Sequence, residues 1–254
     1  MSDFLPQIIR RVRARTPARL LAGRTGGAYR TATQLQLRTA HAAARDAVRT
    51  ELDLGKHLGN ELVERFAIFE ITSRASSKEE YLLRPDLGRR LSDQAQNEVR
   101  SRCAPEVDLQ IMVGDGLSTA AIAAQVPGLL PLLIDGAKQR GWKTGQLFAV
   151  RFCRVGILNE IGDLLRPRIA VLLIGERPGL ATAESLSAYM AFAPRSGQTD
   201  ADRNLISNIH GRGILHPEAA SRILNLAERL LLLKMSGVAV REQLGGRAAA
   251  PLDP

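Results

Sequence analysis

The spacing of apolar residues changes twice along this chain, and each change marks a different kind of structure. From Thr33 to Leu52, Leu35, Leu37, Ala40, Ala43, Ala44, Ala47 and Val48 recur at three- and four-residue steps. That period predicts an amphipathic helix. A second helix is expected over about Asn60 to Ile71. Ser76-Ser77-Lys78-Glu79-Glu80 reads as a polar loop, and Arg84-Pro85-Asp86-Leu87-Gly88 as a turn before a polar helix near residues 91–101. Upstream, Phe4, Leu5, Ile8, Ile9 and Val12 make one turn-spaced apolar face. Pro17 with Gly23, Gly26 and Gly27 stops any long helix there.

Beyond residue 102 the helical period gives way to short continuous apolar runs. Val107–Val113 ends in Gly114-Asp115-Gly116 and is followed by Ala-rich helical sequence from Leu117 to Gln125. Phe148–Val155 is a second strand candidate, Ile157–Leu165 a short helix, and Ser185–Ala193 a further strand. Ile169–Ile174 is apolar throughout, as a strand covered on both faces should be. A last helix runs from Pro217 to about Met235, with Pro at its first turn and Gly237 past its end. Strand, glycine turn and helix in alternation argue for an α/β fold, a parallel sheet flanked by helices behind a smaller helical N-terminal section. The chain divides accordingly into an arm (1–30), a helical section (31–102), an α/β domain (103–244) and an Ala/Pro-rich tail (245–254).

Composition narrows what such a chain does. With 254 residues and 45% hydrophobic content it can bury one sizeable core; aromatics, at 4%, leave the packing to Leu, Ile, Val and Ala. No apolar run reaches the ~18 residues that span a bilayer, and Met1-Ser-Asp-Phe-Leu-Pro has no basic region ahead of an apolar stretch, so secretion is not expected. Two cysteines, Cys103 and Cys153, make neither a disulfide framework nor a zinc spacing, which points to a reduced, cytoplasmic setting. The net charge of +9 is uneven: residues 1–30 hold seven Arg and one acid, whereas residues 103–254 hold sixteen basic and fourteen acidic residues. A polyanion-binding fold would spread its charge and add stacking aromatics, so no nucleic acid is expected. The excess suits a basic arm on an acidic partner.

Three motifs carry candidate chemistry. Gly114-Asp-Gly116-Leu-Ser118-Thr119 follows a strand and opens a helix, where glycines permit close backbone approach and free N–H groups can face an anion. Asp135 lies nineteen positions after Gly116, where the ribose acid of a dinucleotide fold would stand, but Thr119 replaces the third glycine and no Lys follows for a P-loop. A plain strand-to-helix turn capped by Ser118 is the other reading. Gly175-Glu176-Arg177-Pro178-Gly179 follows the most apolar strand; Pro178 and a left-handed Gly179 make a sharp turn that presents Glu176 at the carboxyl end of a central strand, where open α/β sheets bind ligands. Ser185, Ser187, Asp202, Ser207, Asn208 and His210 form a polar cluster without the Gly-x-Ser-x-Gly elbow of a hydrolase, and His210 and His216 lack a metal-site spacing. That cluster reads as a hydrogen-bonded loop, and His41 and His57 as ordinary helix histidines. No catalytic or metal-ligating set emerges.

Taken in order, several segments resemble the small (light) subunit of ethanolamine ammonia-lyase: Thr16-Pro-Ala-Arg-Leu-Leu-Ala-Gly-Arg-Thr-Gly, Leu35-Gln-Leu-Arg-Thr-Ala-His, Tyr81-Leu-Leu-Arg-Pro-Asp-Leu-Gly-Arg-Arg-Leu-Ser, Val113-Gly-Asp-Gly-Leu-Ser, Gly175-Glu-Arg-Pro-Gly-Leu, Glu184-Ser-Leu-Ser and Asp202-Arg-Asn-Leu-Ile-Ser-Asn-Ile-His. The resemblance covers roughly residues 16–240. It implies a heteromeric lyase that turns ethanolamine into acetaldehyde and ammonia by radical chemistry, with adenosylcobalamin as cofactor. It implies a large barrel subunit that carries the substrate site, a higher-order hetero-oligomer, and a Rossmann-like domain on this chain that caps the cobalamin at the interface. By motif matching, the cofactor contacts fall on Val155, Glu176 and Leu205; relatives can carry Cys at the last position. Family members often act inside bacterial microcompartments.

Overall fold

The computed structural model of the chain describes residues 7–14, 16 and 19–242. A short helix α1 (Gln7–Ala14) and a small hairpin, β1 (Arg24–Thr25) with β2 (Ala28–Tyr29), lead into the long helix α2 (Thr31–Arg49). Helices α3 (Leu54–Leu58) and α4 (Asn60–Arg65) precede strand β3 (Phe69–Thr72), and α5 (Lys78–Leu83) and α6 (Asp93–Arg102) follow it. Strands and helices then alternate as β4 (Leu109–Gly114), α7 (Thr119–Gln139), β5 (Phe148–Arg151), α8 (Ile157–Leu165) and β6 (Ile169–Gly175). Strands β7 (Leu186–Phe192) and β8 (Asn204–Ile209) and helix α9 (His216–Leu233) close the chain.

Six strands make one sheet in the order β3-β5-β4-β6-β7-β8. The first four run parallel, and β7 and β8 are antiparallel additions. The wholly parallel sheet expected from the sequence is therefore corrected to a mixed one. Alternation of strand and helix holds from β4 to β6, after which the chain returns through a hairpin with no crossover helix.

Hydrophobic patterning explains the two halves. Strands β4 and β6 are buried at every position. Ile111, Val113, Val171 and Leu173 pack with α7 and α9 on one face, and Met112, Leu172, Phe148 and Val150 pack with α8 and α6 on the other. Strand β7 instead alternates: Leu186, Ala188 and Met190 enter the first core, while Ser187 and Tyr189 face the opposite side. A period of two is the mark of an antiparallel wing with one face open. That open face makes one wall of the site below.

Helix α7 is long and apolar enough to cross a membrane by length and composition. Its place in the fold accounts for that composition, since Ile122, Val126, Leu129, Leu130 and Leu133 are fully buried in the core it shares with α9.

The helical section expected over 31–102 is broken by β3, which pairs with β5 at the edge of the main sheet. The helix expected to reach Ile71 stops at Arg65; Ala67 takes a φ of 47°, and the chain turns so that Phe69 and Ile71 are buried in the second core. The polar stretch Ser76–Glu80 is no loop but the start of α5. Ser77 Oγ caps the helix by accepting from Glu80 N (3.2 Å), and the Glu80 carboxylate accepts from Ser76 N, the residue before the cap (2.7 Å). Likewise β8 falls on the cluster expected as a loop. In the arm, α1 buries no residue, and Arg19 donates to the Leu180 carbonyl of the β6–β7 connection. Phe4, Leu5, Pro17 and the tail 245–254 lie outside the described residues.

Candidate functional site: a cleft at the carboxyl edge of the sheet

The chain leaves β4, β5 and β6 at the same edge of the sheet, and the open face of β7 and β8 rises beside that edge. Between them is a cleft of about 440 Å³. Val155, Glu176 and Leu205, from three separate segments, all line it. Val155 follows β5 through Phe152-Cys153-Arg154, with Phe152 at a left-handed φ of 56° that turns the chain sharply. Glu176 is the first residue past β6. Leu205 stands on β8 opposite Tyr189, on the face turned away from α9, and is 46% exposed.

Glu176 is held as a ligand-facing acceptor would need to be. Its backbone N donates to Ser185 O (3.0 Å), which extends the β6–β7 ladder by one residue. Its Oε1 accepts from Ser187 Oγ (2.8 Å) and from the backbone N of Asn208 (2.9 Å). Both donors come from the antiparallel wing: Ser187 lies on β7, expected as a strand from the sequence, and Asn208 on β8, which was expected as a loop. Oε2 has no hydrogen-bond partner among the described residues. The left-handed glycine of this region is not Gly179, as expected from the motif, but Gly116, at φ 54°.

Beneath the cleft lies a buried polar support that sequence reasoning missed. Asp115 is wholly buried and pairs with Lys78 Nζ at 3.3 Å, itself only 2% exposed. Lys78 also donates to Gly116 O (3.3 Å), while Asp115 Oδ1 accepts from Cys153 N (2.8 Å). Burial pushes the Asp115 carboxyl above its ordinary value, against the opposing pull of Lys78. Tyr81, also wholly buried, donates its OH to Cys153 O (3.0 Å). The segment carrying Val155 is thus tied from both sides to α5 and to the β4 turn. The only signal available in the sequence was the lysine and tyrosine three residues apart in a short capped helix. The Cys153 thiol, fully buried beside Gly114, is pushed well above its ordinary value and is no nucleophile.

The Gly114–Thr119 turn is used internally. A Cβ on Gly116 would fall on the Gly175 carbonyl oxygen, and Leu117 N donates to that same oxygen (3.2 Å). Ser118 caps α7 as expected, accepting from Ala121 N (3.3 Å), and its hydroxyl donates to Ala183 O (2.5 Å). The backbone approach that a dinucleotide would exploit is taken by the neighbouring turn. Asp135 lies sixteen residues into α7, ~24 Å along the helix at 1.5 Å per residue, and is exposed. It cannot serve as a ribose acid at this edge.

The polar cluster of residues 185–210 is divided among local tasks. Asp202 accepts from Thr199 N (2.7 Å), His210 Nδ1 from Arg212 N (3.2 Å), and His216 Nε2 meets Gln125 Oε1 (2.8 Å). These contacts assemble no Ser-His-Asp relay, and no group of three or more His, Cys, Asp or Glu able to hold a metal occurs among the described residues.

Comparison with known proteins gives a consistent set. The family model described as ethanolamine ammonia-lyase light chain matches residues 6–241. The ethanolamine ammonia-lyase small subunits of Clostridium perfringens and Clostridioides difficile are each 40% identical over 227 residues, covering 89% of this chain and 75% of theirs. That of Clostridium acetobutylicum is 36% identical over 239 residues, covering 94% of this chain and 96% of its own.

Proposed function

This chain belongs to the ethanolamine ammonia-lyase light-chain family and is a lyase subunit; from that premise we propose that its cleft takes the edge of adenosylcobalamin at the junction with a large barrel subunit. The reaction of the assembled enzyme is the conversion of ethanolamine to acetaldehyde and ammonia. When bound, the cobalamin supplies the radical chemistry; this chain supplies binding and orientation.

The observation that carries the reading is the convergence of Val155, Glu176 and Leu205 on one cleft. The cleft fits an edge and no more: about 440 Å³ is the size of a pocket for a drug-sized ligand, typically ~300–1,000 Å³, too small to enclose a corrinoid. The remainder of so large a molecule needs a second protein. The lining suits the role as well. Leu117, Val155, Ile174 and Leu205 offer apolar contact to a macrocycle, and the free Oε2 of Glu176 accepts from an amide N–H or hydroxyl of its periphery. Among the described residues the cleft offers apolar contacts and one fixed carboxylate, a lining suited to holding a ligand and shielding its edge from water.

Titration of the assembled complex with cobalamin tests this. A hydrogen bond to a charged acceptor contributes about 1.5–3 kcal/mol, and each 1.4 kcal/mol is tenfold in affinity. Glu176→Ala is expected to weaken cobalamin binding roughly ten- to a hundredfold with subunit assembly retained, and Glu176→Gln to lose less. Unchanged affinity in Glu176→Ala would leave the glutamate as a hairpin residue only. The isolated chain, given cobalamin and ethanolamine, is expected to release no ammonia; release would overturn the helper role.

A further inference from the structure

Two glycines and two arginines pack reciprocally where the cleft meets a second hollow. Arg154 and Val155 line both the cleft and an adjoining hollow of about 620 Å³, which Arg89 and Gly156 also line. Arg154 N donates to Gly88 O (2.8 Å), joining Gly88-Arg89 to Arg154-Val155-Gly156. A Cβ on Gly88 would lie 2.7 Å from Arg154 Cγ, and a Cβ on Gly156 would lie 2.9 Å from Arg89 Cγ. Each segment gives up a side chain so that the other's arginine can cross it. The Arg154 guanidinium then stacks over the buried Tyr81 ring, 4.3 Å from its centroid.

Among the described residues these arginines have no carboxylate counter-ion. The carboxylates around the same hollow are already engaged: Asp86 by Arg84 through two hydrogen bonds (2.9 and 2.7 Å), Glu160 by Leu91 N and Gln96 Nε2, and Asp200 by Arg203. Neither Arg89 nor Arg154 has a carboxylate within ion-pair distance among the described residues. Arg154 Nε is buried without a hydrogen-bond partner. Two preplaced, uncompensated guanidinium groups suit one anion class, since their planar donor forks match phosphate oxygens.

We infer that Arg89 and Arg154 form a phosphate clamp for the phosphodiester in the nucleotide tail of a cobalamin whose corrin edge lies in the adjoining cleft. This rests on the cofactor reading above and extends it along the ridge that Arg154 and Val155 share. A free phosphate could meet the same two groups, so the experiment separates the two sources.

The assembled complex is titrated with cobalamin and with cobinamide, which keeps the corrin ring but lacks the nucleotide and its phosphate. Arg89→Gln and Arg154→Gln are each expected to weaken cobalamin binding by about tenfold, ~1.4 kcal/mol, while cobinamide affinity stays as in the parent. Arg89→Lys and Arg154→Lys recover part of the loss. Because the Arg89 side chain is exposed, Arg89→Gln serves even if Arg154→Gln disturbs the Tyr81 stack. Equal losses for both corrinoids, or no loss for either, would overturn the clamp while a Glu176→Ala effect on both would leave the cleft reading standing. A parent complex that binds neither corrinoid removes both readings. Weakening of inorganic phosphate binding by Arg89→Gln without any effect on cobalamin would overturn the tail assignment in favour of a free phosphate.

Discussion

The turn after β4, residues 114–118, and the turn after β6, residues 175–179, stand against each other at one edge of the sheet. Each places a carboxylate directly after a strand-ending glycine. Their fates differ. Asp115 is wholly buried, paired with Lys78, and spends its second oxygen on Cys153 N. Glu176 keeps one oxygen unengaged on an open cleft. The difference arises from what lies over each turn: α5 covers the first, whereas the face of β7 and β8 beside the second carries no helix. A glycine-flanked acid at a strand end thus marks close approach of two backbones, and only the layer above it decides whether the acid is buried or faces an open cleft.

Removing the buried acid should break this contrast most severely. Asp115→Ala leaves Lys78 charged and unpaired in the interior, a change that costs about 3–5 kcal/mol; chemical denaturation of the variant is expected to show a loss of that order. Lys78→Met is expected to be milder, because burial already biases Asp115 toward its neutral form. Its pH dependence has a definite sign. With Lys78 gone, only the backbone hydrogen bonds to the carboxylate, such as that from Cys153 N, still oppose burial, and the folded-state value of Asp115 rises further above the unfolded one. The variant's stability relative to the parent should therefore improve as pH is lowered toward the ordinary carboxylate range, and be lost as pH rises through the folded-state value. A flat difference across that range would show that Asp115 does not titrate with folding.

The next effect is steric. Gly116→Ala forces a side chain into a left-handed backbone and onto the Gly175 carbonyl. Strain of that kind costs about 1–3 kcal/mol, and because the two turns touch, the variant should also bind cobalamin less tightly. Full affinity in a destabilised Gly116→Ala complex would show that the turns are not coupled. Glu176→Ala sharpens the comparison from the other side. Its distinctive expected effect is on affinity, while the loss of the hydrogen bonds from Ser187 and Asn208 should lower stability by about 1.5–3 kcal/mol. The smallest effect belongs to the arm. Deleting residues 2–15, which include a helix that buries no residue, should leave cobalamin affinity of the complex unchanged and alter solubility alone; weakened binding would bring the arm into the site.

Local pattern was enough for much of this protein. The unbroken apolar run Ile169–Ile174, the helix Ile157–Leu165 with its boundaries, the Ser118 cap and the position of Glu176 at the end of a central strand were all legible, because each depends on neighbours a few residues away. The family segments ordered along the chain singled out Val155, Glu176 and Leu205, and the fold places all three on one cleft. The stretch Ser185–Ala193 was also legible as a strand, although neither its open face nor its direction was read from the pattern. Direction depends on whether a connection crosses the sheet or turns back, and the loop composition of residues 176–185 permits both.

Only the tertiary structure decided the rest. Strand β3 formed where helical propensity extended, because burying Phe69 and Ile71 at the sheet edge outweighs a weak local preference. Lys78 and Asp115 are 37 residues apart, and Gly88 and Arg154 still farther, so their pairing has no local signature. A lysine in a polar stretch reads as solvated until a fold closes over it. The physical reason is one of range: periodicity, capping and turn chemistry act over a few residues, whereas burial, charge pairing and the shape of a cleft are properties of surfaces that meet only after the sheet has assembled.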